Sequence, residues 1–486
     1  MWIAKSNAAQ RKGRAGRCRN GYCFRLYTSE DYENMSETQI PEMERASLHD
    51  VVLHAKIFAP KKTSVKQFLA MALDPPSVEA IDYSIAYLKE IGALDEASTN
   101  DELSLTKLGG FLAFMPLDVQ LSRMLFFGVM LKCLKPIIDL VAALAYKDPY
   151  VISLEEEQDL ADLARDAFGH RDFSDHLMLI RALDAFAALC STGPNPVNQS
   201  AFCKEKYLNP MAMRMMLGIR SQLMSEMKNF QLLPTSVDGF SAPEYNSFSQ
   251  SWPMVQAAIL GGCSIASSIS GKPSRFDISK KDSAIVHPGC VVKRHMSDSK
   301  HYKKSIAHFA NDERDPNVEF LAYQELVKLR EGIVMKTVTV VPPLTAFIFG
   351  GKLSASEYLI QKIYAVNPVS KDPGEPLAKD SQIDIGITDW LTFSDDFNLM
   401  QLLSKLRCKA ALYLSQMLED GKGHEEHEAF LKPSQSSLRF NPQGRDPDCD
   451  MRNFDEAFPD SLRIWLPSSE DPQKVVQLVI GSPQCT

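Results

Sequence analysis

The chain has 486 residues, 45% hydrophobic and 23% charged, the composition of a soluble globular protein with room for about three or four compact units. A net charge of −8 excludes a protein that grips nucleic acid over its whole surface, and apolar runs such as Met124–Met130 and Pro136–Tyr146 are too short to span a bilayer. Ten cysteines with no C-x-x-C pair, and no apolar leader in Met1-Trp2-Ile3-Ala4-Lys5, predict a reduced protein of the cytoplasm or nucleus.

Positive charge is concentrated at the start. Lys5, Arg11, Lys12, Arg14, Arg17, Arg19 and Arg25 all precede the first acid, Glu30, which marks a local site and not a coating. Ser6 is placed to cap a helix that continues through Asn7–Lys12. On that helix Gln10, Gly13, Arg14 and Arg17 fall at i, i+3, i+4 and i+7 and share one face. Gly13 and Gly16 each cost about 1 kcal/mol relative to alanine in a helix interior, so their presence predicts a close approach to the backbone. Two forked cations beside bare backbone suit a triphosphate, whose transferring phosphoryl group needs positive charge aimed at its oxygens. The bland alternative is a basic, solvated helix. Asn20-Gly21 then signals a turn, and Tyr22–Tyr27 alternates as a strand.

Gln10-Arg11-Lys12-Gly13-Arg14-Ala15-Gly16-Arg17 resembles motif VI of superfamily-2 helicases in the form used by DEAH-box RNA helicases. The resemblance implies that residues 1–41 are the end of a second RecA-like lobe. Gln10 would lie near the γ-phosphate and attacking water, and Arg14 and Arg17 would be arginine fingers. Gln10, Gly13, Arg14 and Arg17 would thus meet ATP, with Mg2+, held mainly by a first RecA-like lobe. A complete lobe needs several parallel strands with crossovers, so the chain is expected to begin within a domain. No G-x-x-x-x-G-K-[ST] loop occurs. Gly350-Gly351-Lys352 reads as a strand-end turn, and Asp95-Glu96-Ala97-Ser98 as a chance likeness to the magnesium-binding box.

Residues 42–116 read as a small helical unit. Leu48, Val51, Val52, Ala55 and Ile57-Phe58 form a stripe, Ser64 caps a second helix through Val65, Phe68, Leu69 and Met71, and Ile81, Ile85, Leu88 and Ile91 form a third stripe ending at Gly92. Asp74-Pro75-Pro76, Ile91-Gly92-Ala93-Leu94-Asp95 and Leu105-Thr106-Lys107-Leu108-Gly109 resemble the winged helix that follows the lobes in that family. His49 and His54 lack suitably spaced Cys or His partners, so no metal site is expected.

Residues 117–233 read as all-helical, in segments Leu117–Leu131, Pro136–Ala145, Leu154–Phe168, one capped by Ser174, then Ala201–Leu208 and Met211–Leu233. They resemble the helicase-associated ratchet-like bundle, which implies contact with single-stranded RNA. Met211, Met213, Met215, Met216, Met224 and Met227 read as core filler. Asp175-His176 reads as an acid placed near the positive end of a helix.

Residues 245–420 begin with a helix at Trp252–Leu260 and turn β-rich at Ser283–Pro288, Val291-Val292, Val318–Tyr323, Ile333–Val341 and Ala346–Phe349. Such strands predict a small barrel or sandwich; the resemblance names it an oligonucleotide-binding (OB) fold. Lys293, Arg294, Lys300, Tyr302, Lys303 and Lys304 combine basic groups with an aromatic and suit a groove that tracks an RNA backbone; a solvated loop is the alternative. Ile383–Phe393 reads as one strand, and Ser394-Asp395-Asp396 as the cap of a closing helix through Met400, Leu403, Leu406, Leu414 and Met417. His424-Glu425-Glu426-His427 has the wrong spacing for a zinc pair, and residues 421–486 read as a disordered or unassigned tail.

The expected fold is therefore mainly α with a β-barrel. The resemblance implies the C-terminal portion of a 3′-to-5′ ATP-dependent RNA helicase, inactive by itself, with single-stranded RNA and the first lobe as partners. Protein cofactors would dock on the winged helix or OB-like fold, and no membrane is involved. Gln10–Cys18, Leu53–Lys56 and Phe173–Arg181 look most like the helicase region of the meiotic YTH-domain-containing helicase and its germline relatives. No YTH module is evident, since Trp465 is the only Trp after Trp390. The competing reading is a non-catalytic RNA-binding adaptor derived from a helicase.

Overall fold

The computed structural model describes residues 3–407 except 46, 61–62, 96–97, 99–102, 152–156, 170–172, 192, 194, 270–271, 295–317, 330–331, 352, 355–381, 389, 398 and 405. The chain divides into two compact units, Met1–Gly109 and Gly110–Thr486.

The first unit contains α1 (Lys5–Arg14), α2 (Ser29–Glu33), α3 (Glu42–Arg45), α4 (His49–Phe58), α5 (Val65–Leu69) and α6 (Val78–Glu90). Val52, Leu53 and Ala55 of α4, Val65 and Leu69 of α5, and Ile81, Ile85 and Leu88 of α6 are its core. Ile57, Phe58 and Met71 are exposed, so the expected stripes are shorter than their apolar letters. Ser64 caps α5 in a reciprocal box: its hydroxyl accepts the Gln67 N–H at 3.2 Å, and Gln67 Oε1 accepts the Ser64 N–H at 3.1 Å. Gly92, with φ +78, takes the left-handed conformation that ends α6. The chain then forms a bridge between Leu94 and Leu105. Thr106 Oγ1 donates to the Gly92 carbonyl at 2.7 Å and accepts the Gly109 N–H at 2.9 Å. A Cβ on Gly109 would lie 2.1 Å from the Ala93 oxygen, so this close approach requires glycine. Asp95 donates its N–H to Ser104.

The helix α7 (Lys107–Phe114) carries the chain into the second unit. Helices α8 (Val119–Met130), α9 (Leu134–Leu144), α10 (Gln158–Gly169), α11 (Asp175–Ser191), α12 (Pro196–Glu205), α13 (Pro210–Asn229), α14 (Pro243–Asn246) and α15 (Trp252–Gly262) follow. Proline in the first turn suits α12 and α13, because the N–H it lacks would have no partner there. Asn195 and Asn209 cap the same two helices with side-chain oxygens. Helix α8 is almost wholly buried. It meets α9 where a Cβ on Gly128 would lie 2.8 Å from Ile137, and α15 where one on Gly262 would lie 2.5 Å from Met124 Cβ. Met213, Met216, Met224 and Met227 are core, whereas Met211 and Met215 are exposed.

Strands β1 (Ser264–Ile269), β2 (Lys272–Asp277), β3 (Ser283–Val286), β4 (Phe320–Leu329) and β5 (Gly332–Val341) close a barrel in the order β1-β2-β3-β5-β4. All pairs are antiparallel except β3 with β5. Ala266, Phe276, Ala284, Val286, Leu321, Met335 and Val338 fill it. The sequence reading did not anticipate β1 and β2, whose serines and charges obscure the alternation.

Other expectations change here. Val291-Val292 lies in the short helix α16 (Val291–Arg294), and Ala346–Phe349 in α17 (Pro343–Phe349). A short apolar run fits a buried helix as well as a strand, and Pro343 in the first turn decides for helix. Gly350 therefore caps a helix, not a strand. Finally, β6 (Leu353–Ser354), β7 (Gln382–Ile387) and β8 (Leu391–Asp396) form a three-stranded sheet. The expected single strand is a hairpin, and Ser394-Asp395-Asp396 completes β8 before helical residues that run to 407. Leu414, Met417 and the tail expected at 421–486 lie outside the described residues. Among the described residues no single helix is long and apolar enough to cross a membrane.

Candidate functional site

Helix α1 is anchored at its start and bare at its end. Ala4 and Ala8 are buried, the Lys5 and Ser6 N–H groups donate to the Ser36 and Glu37 carbonyls, and Lys5 Nζ reaches Glu37 at 2.8 Å. Ser6 therefore sits inside the first turn. The cap position is Ala4, whose N–H is taken by the Asn7 side chain at 3.2 Å. One turn later Gln10, Gly13 and Arg14 stand exposed on the helix.

The helix ends at Arg14, so Arg17 lies beyond it and not on the expected fourth position of one helical face. The chain doubles back at once: a Cβ on Gly21 would sit 1.8 Å from the Ala15 oxygen, an approach only glycine permits. A Cβ on Gly13 or Gly16 would meet no atom within 4 Å. Neither glycine is thus required by the described chain itself. Arg14 and Arg17 are both exposed. The site therefore offers one forked donor and one amide on an anchored helix, with a second forked donor and open backbone just past its end.

Tyr22–Tyr27 does not form a strand. Tyr22 and Phe24 are 88% exposed and Leu26 is 100% exposed. Alternation makes a strand only where a neighbour takes its hydrogen bonds, and none of the described residues does so. Arg25 instead lies 4.5 Å over the Tyr32 ring, and Tyr27 stacks on Tyr32 with centroids 6.3 Å apart.

Of the basic run, Lys293 is half-buried in α16 and Arg294 closes that helix. Lys300, Tyr302, Lys303 and Lys304 lie outside the described residues.

Asp175 and His176 do more than sit in a first helical turn. Ser174 caps α11 by accepting the Leu177 N–H at 2.9 Å, and both following side chains are buried. Asp175 Oδ1 accepts the Val291 N–H at 2.8 Å, and Oδ2 accepts the Val338 N–H at 3.0 Å. Thr339 Oγ1 lies 2.7 Å from both Ser174 Oγ and His176 Nδ1. These partners are far away in sequence, so no local pattern announces them.

Burial pushes the His176 imidazole down from 6.5 to about 3. The unfolded chain then binds a proton below about pH 6.5 that the native chain refuses, so stability rises with pH across that window. Acidification from pH 7 to 4 is expected to cost up to about 1.4 kcal/mol per pH unit below 6.5. His49, stacked on Tyr87 at 4.2 Å and pushed by burial to about 4, acts with the same sign in the first unit. Thermal unfolding at pH 7, 5.5 and 4 checks this; unchanged melting throughout would contradict it.

Residues 118–179 match the helicase-associated domain (HA2), ratchet-like, a segment running from α8 into the first turn of α11. The chain is 29% identical over 422 residues to the DExH-box ATP-dependent RNA helicase DExH1 of Arabidopsis thaliana, covering 86% of this chain and 37% of that protein. It is 28% identical over 426 residues to the ATP-dependent RNA helicase dhx29 of Xenopus laevis, covering 87% and 28%. To the ATP-dependent DNA/RNA helicase DHX36 of Homo sapiens it is 27% identical over 426 residues, covering 86% and 37%. The chain thus spans 28 to 37% of the length of these relatives.

Proposed function

Starting from a chain whose relatives are DExH-box ATP-dependent RNA helicases and which carries a helicase-associated segment, we propose that it is the C-terminal portion of a 3′-to-5′ ATP-dependent RNA helicase. The observation that carries this reading is α1, fixed by Ala4, Ala8 and the Lys5–Glu37 pair, yet presenting Gln10 and Arg14 to solvent, with Arg17 exposed just beyond its end. In this reading Gln10 orients the attacking water, and Arg14 and Arg17 neutralise charge on the transferring phosphoryl group. Open backbone at Gly13 and Gly16 admits the nucleotide and the first lobe that holds it. Residues 1–29 contain no carboxylate, so the magnesium is assigned to that lobe.

Residues 42–116 are read as the winged helix and 117–233 as the ratchet-like bundle. The barrel is read as the OB-like fold, a reading supported by its closed order of five strands. The bundle and barrel would bind single-stranded RNA, and the protein would work in the cytoplasm or nucleus. Protein cofactors would dock on the winged helix or the barrel. Kinship within the group is placed with the meiotic YTH-domain-containing helicase, on Gln10–Cys18, Leu53–Lys56 and Phe173–Arg181.

Helicase action needs a phosphate loop and a magnesium-binding acid, which no motif of this sequence supplies. The purified chain is therefore expected to bind single-stranded RNA but not to hydrolyse ATP, with or without RNA. Filter binding to labelled oligouridylate and a phosphate-release assay check both halves. RNA-stimulated turnover by this chain alone would overturn the assignment of its missing parts, and absence of RNA binding would overturn the rest.

A further inference from the structure

Asp175 is almost wholly buried, and a buried carboxylate is costly unless each oxygen is satisfied. Its two oxygens take N–H groups from two different parts of the barrel, Val291 at the start of α16 and Val338 in β5. Apolar packing could hold a helix against a barrel at less cost. What a carboxylate adds is direction, because two charge-assisted bonds fix both backbone segments at once.

Each of those segments carries a lysine two residues away. Lys293 follows Val291 in α16, and Lys336 precedes Val338 in β5. Between Lys336 and Val338 stands Thr337 with φ +52, a left-handed conformation that a β-branched residue rarely adopts. The pairing of β4 with β5 steps over it, from Glu325↔Lys336 to Tyr323↔Val338. Strain of this kind persists only where the surroundings hold it, and here the Asp175 bond holds the residue that follows.

The neighbourhood carries charges of both signs. His287 shares it with Lys336 and Arg165, both of which depress its imidazole after the larger effect of burial. A Cβ on Gly289 would lie 4.0 Å from Arg165 Nη1. Of the nearby carboxylates, Asp148 pairs with Arg165 at 2.8 Å and Asp175 binds its two amides, while Glu325 stands opposite Lys336 in the β4–β5 register.

We propose that Asp175 is a positioning residue, which sets Lys293 and Lys336 to meet the sugar–phosphate backbone of single-stranded RNA. This rests on the RNA-binding reading given above. Asp175→Asn leaves one oxygen acceptor and turns an NH2 group toward the other amide, so one barrel segment is released.

The test uses the whole chain and fluorescein-labelled oligouridylate, with affinity measured across a salt series. Asp175→Asn is expected to weaken binding about tenfold and to make the slope of log K against log salt shallower by roughly 1, the loss of one or two phosphate contacts. Lys293→Ala and Lys336→Ala should each lower the slope by about 0.7, and each combined with Asp175→Asn should lose less than the sum of the single effects. A role in folding alone would lower the melting temperature of Asp175→Asn and leave the slope unchanged, which overturns the proposal. Should that variant fail to fold, the two lysine variants still decide: unchanged slopes in both overturn it. Wild-type chain that binds no RNA sinks the RNA-binding reading itself, whereas wild-type binding matched by all the variants sinks only the role of Asp175.

Discussion

Replacing Arg14 or Arg17 by alanine, in a helicase that carries this chain behind a complete ATP-binding lobe, is expected to lower ATP turnover by about a thousandfold or more. The transition state of phosphoryl transfer spreads negative charge over the equatorial oxygens, so a guanidinium aimed at them acts on the rate more than on nucleotide affinity. Lysine should not restore it, because a point charge lacks the planar fork. Stability should hardly change. Both side chains are exposed, the contacts that fix α1 lie at Ala4, Lys5, Ser6 and Ala8, and exposed substitutions of this kind usually stay within about 0.5 kcal/mol. A chimera joining the upstream lobes of a relative such as DHX36 to this chain allows steady-state phosphate release to be measured. A loss below tenfold in both variants would remove the finger assignment.

Arg220→Met is expected to destabilise the second unit by about 3–5 kcal/mol at neutral pH. Asp139 on α9 is 1% exposed at its side chain, with Arg220 Nη1 at 3.1 Å and Lys135 Nζ at 3.8 Å. Its Oδ2 has no hydrogen-bond partner. Burial pushes its carboxyl above the ordinary range, while Arg220 and then Lys135 oppose that shift. Methionine keeps much of the stem that packs near Phe240, where the guanidinium now lies 4.8 Å over the ring, so the loss reports charge more than volume. A carboxyl with a raised native pKa binds more protons folded than unfolded, so its charge is tolerated less as pH rises through that pKa. The penalty should therefore shrink on acidification, opposite in sign to the effect of His176. Urea unfolding at pH 7 and pH 5 measures it. Asp139→Leu combined with Arg220→Met should recover most of the loss; a double variant as unstable as Arg220→Met would refute the electrostatic explanation.

Some local patterns were read correctly because their partners are local, although Ser6 lies inside α1 and Ser394-Asp395-Asp396 ends a strand. The Ser64 and Ser174 caps bond to amides three residues on, and the Ile81, Ile85 and Leu88 stripe is one face of one helix. The arginine segment stands out in the sequence by its residue types at close spacing. Its finer geometry does not. Where α1 stops is decided by the return of the chain at Gly21 against Ala15, and that places Arg17 off the helix. The Ala346–Phe349 run was mistaken because an apolar tetrad carries no period of its own.

The sequence by itself determined the helices with clear apolar stripes, the Ser64 and Ser174 caps, and the β4 and β5 region, all properties of neighbours within one turn or one strand. Only the tertiary structure decided the rest. Tyr22–Tyr27 is not a strand, because strand formation depends on a pairing neighbour outside the segment. Strands β1 and β2 exist because barrel closure supplies partners that their own serine-rich letters do not advertise. Asp175, 116 residues from Val291 and 163 from Val338, looked like an acid near a helix start; a carboxylate acquires its role from whatever amides the fold brings to it.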